Sequence, residues 1–154
     1  MIINYPRLIA VVFLGALISV ISCKKDIDPP IAIDETWNCY HQKQWSNQDI
    51  HDSLIGSWEL KYGGLYSTDV QSTPKEQNGK FVEFSYDSVF IFNAKRILIL
   101  ASTWVVTDGD ADTYSLKLKN SIVGLYGRIL ICGDWVIFNS SYRDGVDSYF
   151  RRSE

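Results

Sequence analysis

From Gly56 onward, apolar residues recur at every second position in short runs, and turn residues separate the runs. No other feature limits the fold as strongly. A period of two lines one face of a strand and cannot build the stripe of an amphipathic helix. Trp58, Leu60 and Tyr62 alternate with Ser57, Glu59 and Lys61. Further β-rich runs occupy 80–85, 88–93, 96–107, 113–119, 122–132, 135–140 and 146–152. Tyr86-Asp87, Asn93-Ala94, Gly133-Asp134 and Asp144-Gly145 punctuate them, Asp-Gly being the strongest short hairpin cue. Eight runs follow one another with no helical pattern between them. Parallel neighbours would need long crossovers, so the strands are expected to pair antiparallel in chain order. A meander of that size has two open edges, and closure abolishes both. The expected fold class is all-β, an eight-stranded antiparallel up-and-down barrel, with an open sandwich as the alternative.

One helix is expected before the strands. Ser46 stands at an N-cap position with Asp49 three residues on, a relative of the capping box. Trp45 and Ile50 have the spacing of a hydrophobic staple, Leu54 continues the face, and Gly56 stops it.

The first residues read as a targeting segment. Arg7 supplies a positive charge, and residues 8–21 are apolar apart from Gly15 and Ser19, too few to span a bilayer and about right for a secretory leader. The run ends at Val20-Ile21-Ser22-Cys23, which resembles the lipobox of bacterial lipoproteins. That resemblance implies cleavage before Cys23 and acylation at Cys23 with diacylglycerol and a further chain such as palmitate. Stable anchoring needs two or more chains. Residues 24–35 carry charges and a Pro29-Pro30 pair and read as a tether. The domain plan is therefore 1–22 signal peptide, 23–35 lipidated cysteine and tether, and 36–154 folded domain. Lys24-Lys25-Asp26-Ile27-Asp28 resembles the surface-export signals of Bacteroidota lipoproteins, so both faces of the outer membrane stay open as the location.

A second resemblance lies in the folded part. Gly56-Ser57-Trp58 is similar to the opening of lipocalins, where a short helix runs into the first strand, and 144–152 is similar to the closing strand of lipocalin-like lipoproteins of Bacteroidota. The resemblance implies that Trp58 seals the closed end of the barrel and that an arginine of the last strand covers its indole. Spacing from Phe150 favours Arg152 over Arg151. It further implies that the long connection between Gly63 and Gly79 flaps over the barrel mouth. The implied function is that of a lipid-anchored envelope protein holding a small apolar ligand. The alternative is a filled barrel serving as an interaction, inhibitor or structural module.

Other chemistry is sparse. The net charge is −3 with no basic cluster, which argues against a nucleic-acid partner. With Cys23 acylated, Cys39 and Cys132 remain, as a disulfide or as two buried thiols. Asp108, Asp110 and Asp112 alternate like a calcium loop, but Thr113 and Lys119 stand where an EF-hand needs Gly and Glu, so a solvated turn is expected. Cys39, His41 and His51 match no zinc spacing. Glu59 and Glu83, the candidate carboxylate pair, alternate away from the apolar face. No metal, cofactor or catalytic residue is assigned.

Overall fold

The computed structural model describes residues 31–64, 66–67 and 79–153. The leader, Cys23, most of the tether and most of the 63–79 connection lie outside the described residues.

Two helices, α1 (Ile33–Tyr40) and α2 (Asn47–Leu54), precede the strands. In α2 the Ser46 hydroxyl accepts from the Asp49 N–H, and the Asp49 carboxylate accepts from the Ser46 N–H at 3.0 Å, completing a capping box. Ile50 and Leu54, four residues apart on its buried face, have no exposed surface. Helix α1 begins inside the stretch read as tether. Its acids, Asp34 and Glu35, sit in the first turn, where the helix dipole stabilises negative charge. The same charges that look like linker composition therefore favour a helix start.

The strands are β1 (Gly56–Tyr62), β2 (Tyr66–Ser67), β3 (Phe81–Phe84), β4 (Ser88–Phe92), β5 (Leu98–Asp108), β6 (Tyr114–Leu118), β7 (Ile122–Val123), β8 (Arg128–Cys132), β9 (Trp135–Asn139) and β10 (Ser148–Arg152). Eight of them form one closed barrel in the order β1-β10-β9-β8-β6-β5-β4-β3, every pair antiparallel, with β3 returning to β1. Strands β2 and β7 make a separate two-stranded ladder.

Two further expectations are corrected. The run 122–132 is two strands, because the chain turns through Gly124 and Gly127 at φ of 94° and 88°. A Cβ on Gly124 would overlap the Gly64 carbonyl, and one on Gly127 the Asn139 carbonyl, so both positions exclude larger residues. Asp144-Gly145 is not a tight hairpin either. Asp147 gathers the Ser140 and Ser141 N–H groups at 2.8 Å each and the Asn139 amide at 3.0 Å, folding 140–147 into a wider loop with a 3-10 turn. Gly133-Asp134, by contrast, does link β8 to β9 directly.

Cross-strand register separates the two faces of the sheet. Trp58, Val82, Ile91 and Leu100 align across β1, β3, β4 and β5, and Leu60, Phe150, Val136 and Ile131 align across β1, β10, β9 and β8. This inner face meets itself across the barrel. The Phe84 ring of β3 lies 5.1 Å from Trp104 of β5 and 6.5 Å from Phe138 of β9, which lies 5.8 Å from Phe150 of β10. Strands β3 and β9 are not neighbours, so these contacts span the lumen. The outer face is polar at Ser57, Glu59, Glu83 and Lys117, but not everywhere. Leu130, Ile137 and Tyr149 align on the outside of β8, β9 and β10 and are buried, with α1 packed on β8.

Phe84 touches partners on both sides of the lumen, so its truncation leaves a cavity that the ring of strands cannot collapse to fill. Phe84→Ala is expected to lower unfolding stability by about 3–5 kcal/mol, at the upper end of core truncations. Chemical denaturation would show this as a lower midpoint with an unchanged slope.

Candidate functional site

The barrel has one weak seam. Strands β6 and β8 share a single bridged pair, Tyr114 with Ile129, whereas the other neighbours share four or five. The segment joining α1 to α2 runs past this seam and ties the strands on either side. Tyr114 donates its hydroxyl to the Trp45 carbonyl at 2.9 Å, and the Asn47 amide donates to the Val106 carbonyl at 3.0 Å. On the other side, a disulfide joins Cys39 to Cys132 at the end of β8. Both cysteines are therefore accounted for. A covalent link across 93 residues of sequence removes loop-closure entropy from the unfolded chain, worth about 2–5 kcal/mol.

Within the segment the aromatics order one another. Trp45 stacks on Tyr40 with ring centroids 5.5 Å apart and donates its indole N–H to the Tyr40 carbonyl at 2.9 Å. The Lys43 ammonium lies 3.9 Å from the centroid of the Trp45 ring. Two hollows flank this ridge, and Lys43 and Trp45 border both. One, about 600 Å³, lies between Tyr40–Trp45 and the β5–β6 turn at Asp108–Tyr114. The other, about 400 Å³, lies beside Cys39, Ser53, Cys132 and Arg152. Burial, with the Tyr114 phenol second, pushes the Tyr40 phenol up to about 12, so it stays protonated. Its hydroxyl has no hydrogen-bond partner among the described residues. These surfaces offer aromatic faces and mixed charge, suited to contact with another molecule. They hold no nucleophile paired with a base.

At the α2 end of the barrel, its floor, Trp58 is fully buried and donates its indole N–H to the Leu54 carbonyl at 2.7 Å. The Arg152 guanidinium lies 4.2 Å from the centroid of the Trp58 ring. Arg152 also donates to the Ser53 carbonyl at 2.6 Å and the Ile55 carbonyl at 3.1 Å, satisfying carbonyls at the end of α2. One side chain of the last strand thus fastens the helix to the barrel floor. Arg151 faces outward and pairs with Asp134 at 2.6 Å. The structure brings Trp58 and Arg152 together and places Arg151 elsewhere.

The remaining candidates do not converge. Asp110 accepts from Arg128 at 2.8 Å and pairs with Arg143 at 3.4 Å. The hydrogen bond from Arg128 holds the Asp110 carboxyl below the ordinary aspartate range. His41 donates to the Trp37 carbonyl, and His51 stacks on Trp104 with its Nε2 2.8 Å from the Tyr86 carbonyl. Glu59 pairs with Lys61 at 2.7 Å, and both Glu59 and Glu83 lie on the outer face. Among the described residues, no three His, Cys, Asp or Glu side chains come together as a metal site. The ridge itself was missed by sequence reasoning, which took Trp45 only as a staple. Trp37, Tyr40 and Trp45 crowded into nine residues were the available signal.

Comparison with protein-family models, with curated proteins and with solved structures finds no match for this chain.

Arg152 makes its contacts with a planar fork that lysine cannot reproduce. Arg152→Ala is expected to cost about 1–3 kcal/mol, from the lost charge-assisted hydrogen bonds and the uncovered indole. Arg152→Lys should recover only part of this in the same denaturation experiment.

Proposed function

We propose that this is a lipid-anchored protein of the bacterial outer envelope whose lipocalin-like barrel is a filled body that works through its surface. The lipobox-like Val20-Ile21-Ser22-Cys23 supports the anchor. Gly56-Ser57-Trp58 at the start of the first strand, a capped helix before it and an arginine of the last strand over Trp58 support the lipocalin-like reading. The observation that carries the filled barrel is the chain of rings from Trp104 through Phe84 and Phe138 to Phe150. An eight-stranded barrel is only wide enough for side chains or one small ligand, and these rings occupy that space. A filled lumen moves function to the outside, and the ridge at Trp45 with its two hollows is a shaped part of that surface.

A second reading, an apolar ligand in the barrel, has its own support. Leu100, Leu116 and Leu118 belong to the inner face by register yet are only half-buried, so that side of the lumen is less completely covered.

Native mass spectrometry of gently purified protein separates the two. The filled barrel predicts the mass of the acylated chain alone. A reproducible further mass lost on denaturation would favour the ligand-holding reading. Anchoring is tested by metabolic labelling with a palmitate analogue, which Cys23→Ala is expected to abolish. Undiminished labelling would remove the anchor from the proposal.

A further inference from the structure

The β4–β5 hairpin end carries a feature that neither the barrel nor the ridge uses. Ile97, Leu98 and Ile99 are three consecutive large aliphatic residues, exposed by 58%, 53% and 52%. Side chains of a strand alternate between faces, so a strand lying on the barrel wall would cover at least one of any adjacent pair. Here all three are more than half exposed, so neither face of this end of the hairpin is packed. The turn is tied together by hydrogen bonds. Asn93 accepts from the Lys95 and Ile97 N–H groups at 2.9 and 3.0 Å, and its own N–H donates to the Ile97 carbonyl at 3.0 Å. The Arg96 guanidinium is 3.7 Å from the centroid of Phe81, which braces the turn against β3. Residues 93–100 contain Lys95 and Arg96 and no acid, in a chain whose net charge is −3.

Consecutive exposed aliphatics are costly in water and are absent from ordinary soluble surfaces unless something receives them. Cations beside them select the receiving surface, because anionic headgroups attract lysine and arginine while the acyl region takes the aliphatic side chains. We infer that the β4–β5 hairpin is a membrane-contacting prong, with Ile97, Leu98 and Ile99 entering the outer part of a bilayer and Lys95 meeting its anionic headgroups. The inference rests on the proposed anchor for its partner. If Cys23 carries lipid, the eight residues from there to Ile31 reach at most roughly 28 Å at about 3.5 Å per residue. The domain would then remain close enough to the bilayer for the prong to touch it. Contact at a second point would fix the orientation of the barrel on the membrane and decide which way the Trp45 ridge faces.

The test uses the full mature chain as the cell produces it, its acylation read by mass spectrometry, reconstituted into phosphatidylethanolamine vesicles with and without phosphatidylglycerol. An environment-sensitive dye is placed at Leu98→Cys and, separately, at Tyr86→Cys. Tyr86 is 76% exposed in the β3–β4 turn, at the other end of β4. The expected result is a blue shift and strong quenching by spin-labelled acyl chains for the dye at 98 and neither for the dye at 86. The shift should grow with phosphatidylglycerol and shrink in Lys95→Glu. A dye at 98 that stays in water on acylated, vesicle-bound protein overturns the inference. A blue shift that rises with protein concentration in the absence of lipid also overturns it, since the aliphatics would then pack on a second copy. If the mass shows no acyl group, the anchor reading fails by itself. Adding the same vesicles to that protein still decides the prong: a shift at 98 supports it and no shift overturns it.

Discussion

Closing eight short strands into a ring leaves an interior so narrow that side chains from opposite walls must meet or leave room for one small guest. In this chain they meet. Phe84 reaches Trp104 on one side and Phe138 on the other, and Phe138 reaches Phe150. Each of these rings buries most of its surface, and together they hold β3, β5, β9 and β10 at a fixed separation without any backbone hydrogen bond between non-neighbours. The register of these four strands follows from this, because a slip of one residue would turn the rings outward.

The ring is not equally strong around its circumference. The single bridge between Tyr114 and Ile129 leaves β6 and β8 splayed, and the chain compensates from outside. The Cys39–Cys132 disulfide holds one side, and Tyr114 and Asn47 hold the other, Tyr114 through the carbonyl of Trp45. Arg128 adds an electrostatic tie from β8 to Asp110 in the β5–β6 turn. Beside this local deficit in sheet pairing lies a ridge with aromatic faces and a hollow on each side. At the floor, the same economy is seen in Arg152, which covers Trp58 and satisfies the end of α2 at once.

Much of this architecture was legible in residue order. Alternation at Trp58-Glu59-Leu60 marks the first strand. The Ser46–Asp49 cap marks α2, and Gly133-Asp134 marks the turn between β8 and β9. What failed to show was long-range in origin. Asp34 and Glu35 read as tether because a helix dipole is invisible until the helix exists. Gly124 and Gly127 read as part of one strand because the backbone that crowds them, at Gly64 and Asn139, is remote in sequence. Asp144-Gly145 read as a hairpin because the competing Asp147 acts through hydrogen bonds that need the loop already folded. Of the candidate site, Trp58 and Arg152 could be named from spacing and resemblance. The disulfide stayed one of two options until geometry placed Cys39 beside Cys132, and the ridge depends on the weak seam, which no local pattern announces.

A filled lumen would place this barrel's function on its surface and not inside it. The most direct measurement is the set of aromatic nuclear Overhauser contacts in the purified protein. A filled lumen gives contacts from the Phe84 ring protons to both Trp104 and Phe138, across strands that are not neighbours. Absence of the Phe84–Phe138 contact, with new contacts from either ring to protons that do not belong to the protein, would show a guest between the walls and contradict it.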